Sequence, residues 1–140
     1  MKNRFVIFIV ILESCTSKSI DNEKSKSEII QTEKNFARMA KEKGNASAFI
    51  AFADSNAVIK RSDSLVKGIS GIRKYFILNS QKGELQWYPD FVDVSGDLGY
   101  TYGKYNFTTK LPNGEIGHSS GYFHTVWRRQ KDGSWKFVWD

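Results

Sequence analysis

The chain has 140 residues, 40% of them hydrophobic, which is enough for one domain with a core and too little for two. Its formal net charge is +6, but the lysines and arginines are spread from end to end, which favours a solvated surface over a nucleic-acid footprint. The single cysteine, Cys15, excludes an intramolecular disulfide, and two histidines are too few for a Cys/His metal site.

The amino terminus has the composition of a bacterial export signal. Lys2 and Arg4 precede an apolar run over residues 5–12, which is far shorter than the ~20 residues that span a bilayer as a helix. The residues before Cys15 resemble a lipoprotein box, in which the signal is cleaved and the cysteine lipidated, although Glu13 departs from the usual small or apolar residue. We expect residues 1–15 to be a signal, Cys15 to be lipidated and the protein to lie in the bacterial cell envelope. Plain secretion and an unprocessed buried strand are the alternatives.

Polar residues 16–27 have the composition of a flexible tether, so the predicted domain covers residues 28–140. From Glu28 to Lys43, apolar residues recur at three- and four-residue spacing, which predicts a helix with one buried face that ends at Gly44. Short helices are predicted from an Asn45 cap to Ala53 and after a Ser70 cap. A small hairpin with strands over residues 57–61 and 64–68 is predicted between them.

Four runs rich in aromatic and β-branched residues follow, over residues 85–94, 98–110, 117–130 and 134–140. Short turns with a glycine separate them and predict an antiparallel meander. Counting through these turns places nine large rings on one face: Trp87, Phe91, Tyr100, Tyr102, Phe123, Trp127, Trp135, Phe137 and Trp139. The opposite face receives Gln86, Tyr88, Asp90, Thr101, Tyr105, Tyr122, His124, Arg128, Lys136 and Asp140. One bulge would overturn this assignment.

Several stretches carry a resemblance to a known superfamily: Glu33 with Phe36 and Ala37, residues 48–58, Gly68 with Gly71 and Ile72, residues 96–107 and residues 125–140. In these stretches and in the order of its elements, the chain is similar to the nuclear transport factor 2-like superfamily, which includes ketosteroid isomerase and the SnoaL-like polyketide cyclases. The resemblance is strongest to an uncharacterised exported subgroup. It implies an α+β fold in which a curved antiparallel sheet wraps around the N-terminal helices as a cone. It also implies a pocket at the open end and often a homodimer through the outer sheet face.

Candidate catalytic residues are few. The isomerases that the chain resembles have a catalytic carboxylate at the end of the first short strand, where this sequence has Lys60 and Arg61, so isomerase chemistry does not transfer. Glu33 lies in the apolar stripe of the first helix and is either a base with a raised pKa or, as we favour, a carboxylate hydrogen-bonded to the sheet. Asp93 is a second weak candidate base, and Tyr102 is a candidate for polarising a substrate oxygen.

The ring-rich face predicts a ligand site whose candidate contacts are Trp87, Tyr102, Asn106, Phe123, Trp127 and Trp139. The first hypothesis is an exported module that binds a small, partly apolar molecule, with no cofactor or metal and with a lipid anchor as its only membrane contact. The second is an enzyme of the isomerase, cyclase or hydratase type. The third is a dimerisation or protein-interaction domain that uses an outer patch of Tyr88, Tyr105 and Tyr122.

Overall fold

The computed structural model describes residues 14–79 and 83–140, with side chains from residue 21 onward. The elements in chain order are α1 (Ser14–Lys43), α2 (Asn45–Phe52), β1 (Ala53–Arg61), β2 (Ser64–Lys67), α3 (Gly68–Leu78), β3 (Gly83–Ser95), β4 (Leu98–Lys110), β5 (Ile116–Arg129) and β6 (Trp135–Trp139). The strands form one sheet in the order β2-β1-β6-β5-β4-β3. All neighbours are antiparallel except β1 and β6, which are parallel. This is the expected α+β architecture of a curved, unclosed sheet around N-terminal helices.

One face of helix α1 supplies much of the core. Ile29, Phe36 and Ala40 are buried on this face, and Glu33 is buried between them, as the three- and four-residue spacing predicts. The helix ends at Gly44, whose φ of 84° suits a residue without a Cβ and whose amide donates to the Ala40 carbonyl at 2.9 Å. The ring of Phe36 lies at the centre of the core, with the ring centroids of Phe49, Phe52, Trp87, Trp127 and Phe137 between 4.8 and 6.3 Å away.

Helix α1 begins at Ser14, whereas the sequence predicts a helix from Glu28 and a flexible tether over residues 16–27. Contacts to the sheet hold the early part of the helix. The buried Ser25 hydroxyl accepts a hydrogen bond from Arg129 Nη2 at 2.7 Å, and Lys26 Nζ lies 3.3 Å from Asp93 Oδ1. The predicted signal lies largely in residues 1–13, which are outside the described residues, and so does the side chain of Cys15. Within the described residues, no helix is long and apolar enough to cross a bilayer.

The shorter elements occur in the predicted order, but their caps differ and β1 begins at Ala53 instead of residue 57. Helix α2 spans Asn45–Phe52, but its N-cap is Gly44, not Asn45. Helix α3 begins at Gly68 and has Lys67 as its N-cap, so Ser70 lies inside the first turn. The hairpin of β1 and β2 turns at Ser62, which has a φ of 52°.

The meander is confirmed, but three irregularities change which side chains share a face. A bulge lies between Pro89 and Phe91, where proline has no amide hydrogen for the β-ladder. The β4–β5 turn has one residue more than predicted, because Leu111 pairs with Glu115 around the residues Pro112, Asn113 and Gly114. The third irregularity shifts the β5–β6 register between Val126 and Trp127. Each shift of one residue moves the side chains beyond it to the opposite face.

The predicted set of nine rings on one face is therefore wrong. The inner face, which packs on α1, carries Trp87, Phe123, Trp127, Trp135 and Phe137, together with Thr101, Tyr105 and Asp140, which were predicted to lie outside. The outer face carries Phe91, Tyr100, Tyr102 and Trp139, together with the correctly predicted Tyr88, Tyr122 and His124. Gly99 lets α1 approach the inner face, because a Cβ there would lie 2.4 Å from Ile29 Cδ1.

Candidate functional site

A pocket of about 900 Å³ lies at one end of the cone. Its border includes the α1–α2 junction at Gly44, the end of β1 at Arg61, the end of α3 at Asn79 and the start of β3 at Gly83. Ser119, near the start of β5, lies on its rim. The pocket therefore lies at the end of the sheet nearest the β4–β5 turn.

The wall of the pocket is largely aromatic. It is formed by Phe36, Phe49, Tyr75, Phe76, Leu85, Trp87, Tyr105, Phe107 and Phe123. Trp87 packs edge-on against Phe36 with ring centroids 4.8 Å apart, and Phe49 packs on Phe76 at 5.1 Å. These rings extend the core outward, so a ligand in the pocket would contact the same apolar surface that packs the domain.

An ion pair lies on the polar side of the pocket. Both Nη1 and Nη2 of Arg61 donate to Asp140 Oδ1 at 3.2 Å, and the Thr125 hydroxyl donates to Asp140 Oδ2 at 3.2 Å. The Arg61 guanidinium also lies over the Phe49 ring, with its Cζ 5.1 Å from the centroid. Burial raises the pKa of the Asp140 carboxyl, while Arg61 and Thr125 act in the opposite direction.

Glu33 lies behind the pocket wall. Its side chain is 1% exposed, and its carboxylate accepts hydrogen bonds from Trp87 Nε1 at 2.8 Å, Thr101 Oγ1 at 2.5 Å and Trp127 Nε1 at 3.2 Å. Burial raises the pKa of Glu33 to about 7, although the three hydrogen bonds favour the charged form. Both features expected of Glu33, the raised pKa and the hydrogen bonds to the sheet, therefore occur together. Trp87 lies between this carboxylate and the pocket.

Two other residues considered for catalysis lie away from the pocket. The side chain of Asp93 is 48% exposed and pairs with Lys26, and a backbone hydrogen bond from Val94 is the main cause that lowers the pKa of Asp93. Tyr102 lies on the outer face and is stacked on Phe91 with ring centroids 5.1 Å apart. Neither arrangement provides a base or an electrophile beside the pocket.

The expected ligand contacts are only partly brought together. Trp87, Phe123 and Trp139 border the pocket, whereas Trp127 is buried in the core with 0% exposure. Tyr102 and Asn106 alternate with inner residues of β4 and point to the outer face. Trp139 pairs with Val126 on the outer side and reaches the pocket only at its edge.

Sequence reasoning missed Tyr105 and Asp140 as pocket residues. Both were assigned to the outer face because the β4–β5 turn was counted as two residues and the β5–β6 register as regular. A signal for the correct face was present in β4, where Gly99, Thr101 and Gly103 alternate with large residues. All three are buried, and Gly99 leaves room for Ile29 of α1.

The outer face carries exposed rings. Tyr88, Phe91, Tyr102 and Tyr122 are 59%, 40%, 42% and 74% exposed. Phe91 stacks on Tyr102, and Tyr100 packs against His124 with centroids 5.9 Å apart. This outer-face patch, defined by Tyr88, Phe91, Tyr100, Tyr102 and Tyr122, is the second surface of the domain with many large side chains.

The sequence matches no protein-family model, and no curated protein is detectably similar to it. The fold, in contrast, is similar to solved structures. A nuclear transport factor 2-like superfamily protein from Salmonella enterica has a TM-score of 0.70 at 17% identity, over 84% of this chain and 88% of that chain. A ketosteroid isomerase-like protein from Erwinia carotovora atroseptica has a TM-score of 0.70 at 13% identity, over 83% of this chain and 92% of that chain.

The association domain of C. elegans CaMKII is also similar, with a TM-score of 0.64 at 16% identity, over 85% of this chain and 95% of that chain. Identities of this size show a common fold and leave the function to be argued from the site. The chain has the nuclear transport factor 2-like fold, in which a curved sheet and N-terminal helices form a cone with a pocket at one end.

Proposed function

We propose that this protein is a binding module that holds a small, largely apolar molecule in the pocket. The observation that carries the proposal is the pocket of about 900 Å³ with an aromatic wall. This volume falls in the range of roughly 300–1,000 Å³ that is usual for small-molecule sites. Of the contacts expected from the sequence, Trp87, Phe123 and Trp139 remain in the proposal, and Tyr105 joins them.

The hydrogen bond from Trp87 to Glu33 supports a preformed site. It fixes the orientation of an indole whose ring belongs to the pocket wall, and Phe36 packs against the same ring. Side chains that are held in place before a ligand arrives lose little conformational entropy on binding. The pocket is therefore suited to rigid apolar molecules.

The test uses a neutral fluorescent probe, N-phenylnaphthylamine, and two adjacent serines on β5. Ser119 lines the pocket and pairs with Phe107, whereas Ser120 pairs with Asn106 on the outer face. We expect the probe to bind the wild type and S120W, and to bind S119W at least about tenfold more weakly, since a new indole would fill the rim. Absence of probe binding to the wild type, or equal binding to both variants, would refute the proposal.

An enzyme of the isomerase, cyclase or hydratase type is the second candidate, and one observation favours it. Asp140 borders the pocket, and burial raises its pKa, as a general base needs, although Arg61 and Thr125 act in the opposite direction. A panel of enolisable ketones in heavy water would report abstraction of a proton next to a carbonyl. Deuterium exchange that the wild type catalyses and D140N does not supports an enzyme. If the wild type exchanges deuterium no faster than S119W, whose pocket is filled, this candidate is rejected.

A homodimer through the outer face is a further part of the proposal. It is supported by the exposed rings of the outer-face patch, and one structural neighbour is named as an association domain. Sedimentation should show a dimer for the wild type and a monomer for Y102K, with S119W unchanged because Ser119 lies on the pocket side. A monomeric wild type at high concentration would remove this part.

Export and lipidation at Cys15 are proposed from the sequence alone. Metabolic labelling with a fatty-acid analogue should mark the wild type and leave C15A unlabelled, and fractionation should find the wild type in the cell envelope. Equal labelling of both chains, or a wild type that stays in the cytoplasm, would contradict this assignment.

A further inference from the structure

The polar side of the pocket has a feature that neutral, apolar ligands do not use. Arg61 has five N–H donors, and three of them are occupied. Nη1 donates to the Lys60 carbonyl at 2.8 Å and to Asp140, and Nη2 donates once to Asp140. The Nε donor and the second Nη2 donor have no acceptor among the described residues. The side chain of Arg61 is 27% exposed, so this edge is not sealed in the core.

The pairing with Asp140 leaves Arg61 able to take a second anion. Both Nη atoms contact the same oxygen, Asp140 Oδ1, at 3.2 Å. These two bonds use the Nη1–Nη2 edge of the guanidinium and leave the edge formed by Nε and the second Nη2 donor for another acceptor. Phe49 below the guanidinium and the Lys60 carbonyl beside it also hold the group in place. The free donors are therefore preorganised.

The charge around the pocket is positive. Among the described residues that border it, the fully charged side chains are Lys60, Arg61 and Asp140, which leaves one excess positive charge. Lys60 pairs with Leu65, and its side chain lies on the outer side of β1. Its charge therefore attracts an anion to the edge of the pocket without a direct contact. The pocket thus combines an aromatic wall with a partly desolvated cation.

We propose that the ligand is a planar apolar or aromatic molecule that carries one carboxylate, and that the free edge of the Arg61 guanidinium binds this carboxylate while the aromatic wall holds the apolar body. This inference rests on the proposed function and adds the chemical class of the ligand. Asp140, whose other oxygen accepts from Thr125, holds Arg61 in position and disfavours dianions, because a second negative charge would face the Asp140 carboxylate.

Displacement of bound N-phenylnaphthylamine by naphthoate and by naphthamide tests this class. The two competitors have the same shape and differ in the charge of one group. We expect naphthoate to displace the probe at a concentration roughly tenfold lower than naphthamide, because a hydrogen-bonded charge in a partly dry site is favoured over a neutral amide. Equal displacement by both overturns the inference, while binding of the neutral probe itself still supports the proposed function.

Variants assign the preference to Arg61. R61Q should abolish the preference for naphthoate and still bind the neutral probe. R61K should keep about a third of the preference or less, since an ammonium lacks the paired, coplanar N–H donors of a guanidinium. K60Q should lower naphthoate affinity about twofold. K131Q, which also removes one lysine charge but in the exposed β5–β6 turn, should leave the affinity for naphthoate unchanged. If R61Q fails to fold, R61K decides, and an undiminished preference in R61K overturns the inference.

Discussion

Two carboxylates with little exposure to solvent lie on the inner side of the cone and have opposite surroundings. Glu33 is enclosed by the core and accepts only from neutral donors, two indoles and a hydroxyl. Asp140 lies at the pocket and pairs with the cation of Arg61. The hydroxyls that serve them belong to Thr101 and Thr125, which lie directly opposite each other in the sheet.

Burial raises the pKa of both groups, but the hydrogen-bond partners of the two carboxylates differ. With neutral donors, Glu33 has a pKa of about 7 and can hold a proton inside the core near neutral pH. With a guanidinium beside it, Asp140 stays paired and keeps the cation oriented toward the pocket. One carboxylate thus supports the pocket wall, and the other positions a binding group.

The largest expected effect is the loss of the Glu33 carboxylate. E33L should lower the free energy of unfolding by about 4 kcal/mol, because Trp87, Thr101 and Trp127 would lose their common acceptor inside the core. Urea denaturation measures this loss. E42L, on the exposed side of the same helix, is the matched control and should change stability by no more than about 0.5 kcal/mol. Equal effects of the two changes would contradict the enclosed environment of Glu33.

The pH dependence of stability sharpens the comparison. The pKa of Glu33 is about 7 in the folded protein against a usual value of 4.5, so folding takes up a proton between these two pH values. The contribution of Glu33 to stability is therefore complete below pH 4.5 and is lost as the pH rises toward 7. The full loss is about 3 kcal/mol.

Denaturation of the wild type and E33Q across this range measures the effect, because other carboxyls titrate in both proteins and cancel in the difference. The stability of the wild type relative to E33Q should fall as the pH rises. A difference that is constant with pH would show that Glu33 has an ordinary pKa.

Removing Arg61 tests the second carboxylate. R61L should cost about 2 kcal/mol at neutral pH, because the Asp140 carboxylate would lose its hydrogen-bonded cation in a largely buried position. The penalty should shrink as the pH falls, since protonation of Asp140 removes the negative charge. Thermal unfolding at several pH values measures this, and K60Q is the control for loss of a neighbouring exposed cation. A penalty that does not depend on pH would contradict the pairing.

The smallest effects come from the two threonines. T101V and T125V each remove one hydroxyl from one carboxylate and should each cost about 1 kcal/mol. T101V should raise the pKa of Glu33 further, since its hydroxyl stabilises the charged form, whereas T125V should leave that pKa nearly unchanged. NMR of the Glu33 carboxyl carbon follows both titrations. A large shift in T125V would mean that the two sites titrate together.

The sequence predicts the elements well because each has a local signal. The apolar spacing of α1, Gly44 at its end, and the turns at Gly96 and Gly133 all agree with the structure. The early start of α1 was not predicted, and the contacts of Ser25 and Lys26 with the sheet have no local signal in the sequence. Such contacts depend on residues far along the chain.

The candidate site was harder to predict, because each strand face depends on counts that add along the meander. The bulge at Pro89, the longer turn around Asn113 and the shift near Trp139 each reversed the side chains beyond them. The burial of Glu33 was predicted correctly because its position depends only on helical spacing. Tyr105 and Asp140 were missed because their positions depend on the turn and on the register.

Binding in the pocket is tested most directly by an NMR titration of the indole N–H signals with naphthoate. Trp87 belongs to the pocket wall, and Trp127 is buried in the core. A ligand in the pocket should shift the Trp87 signal, whereas a conformational change of the whole domain would shift both signals. We predict that the Trp87 signal and the Arg61 Nε–H signal shift together and saturate, with little change at Trp127. Shifts confined to the backbone amides of Phe91 and Tyr102 on the outer face would contradict the account.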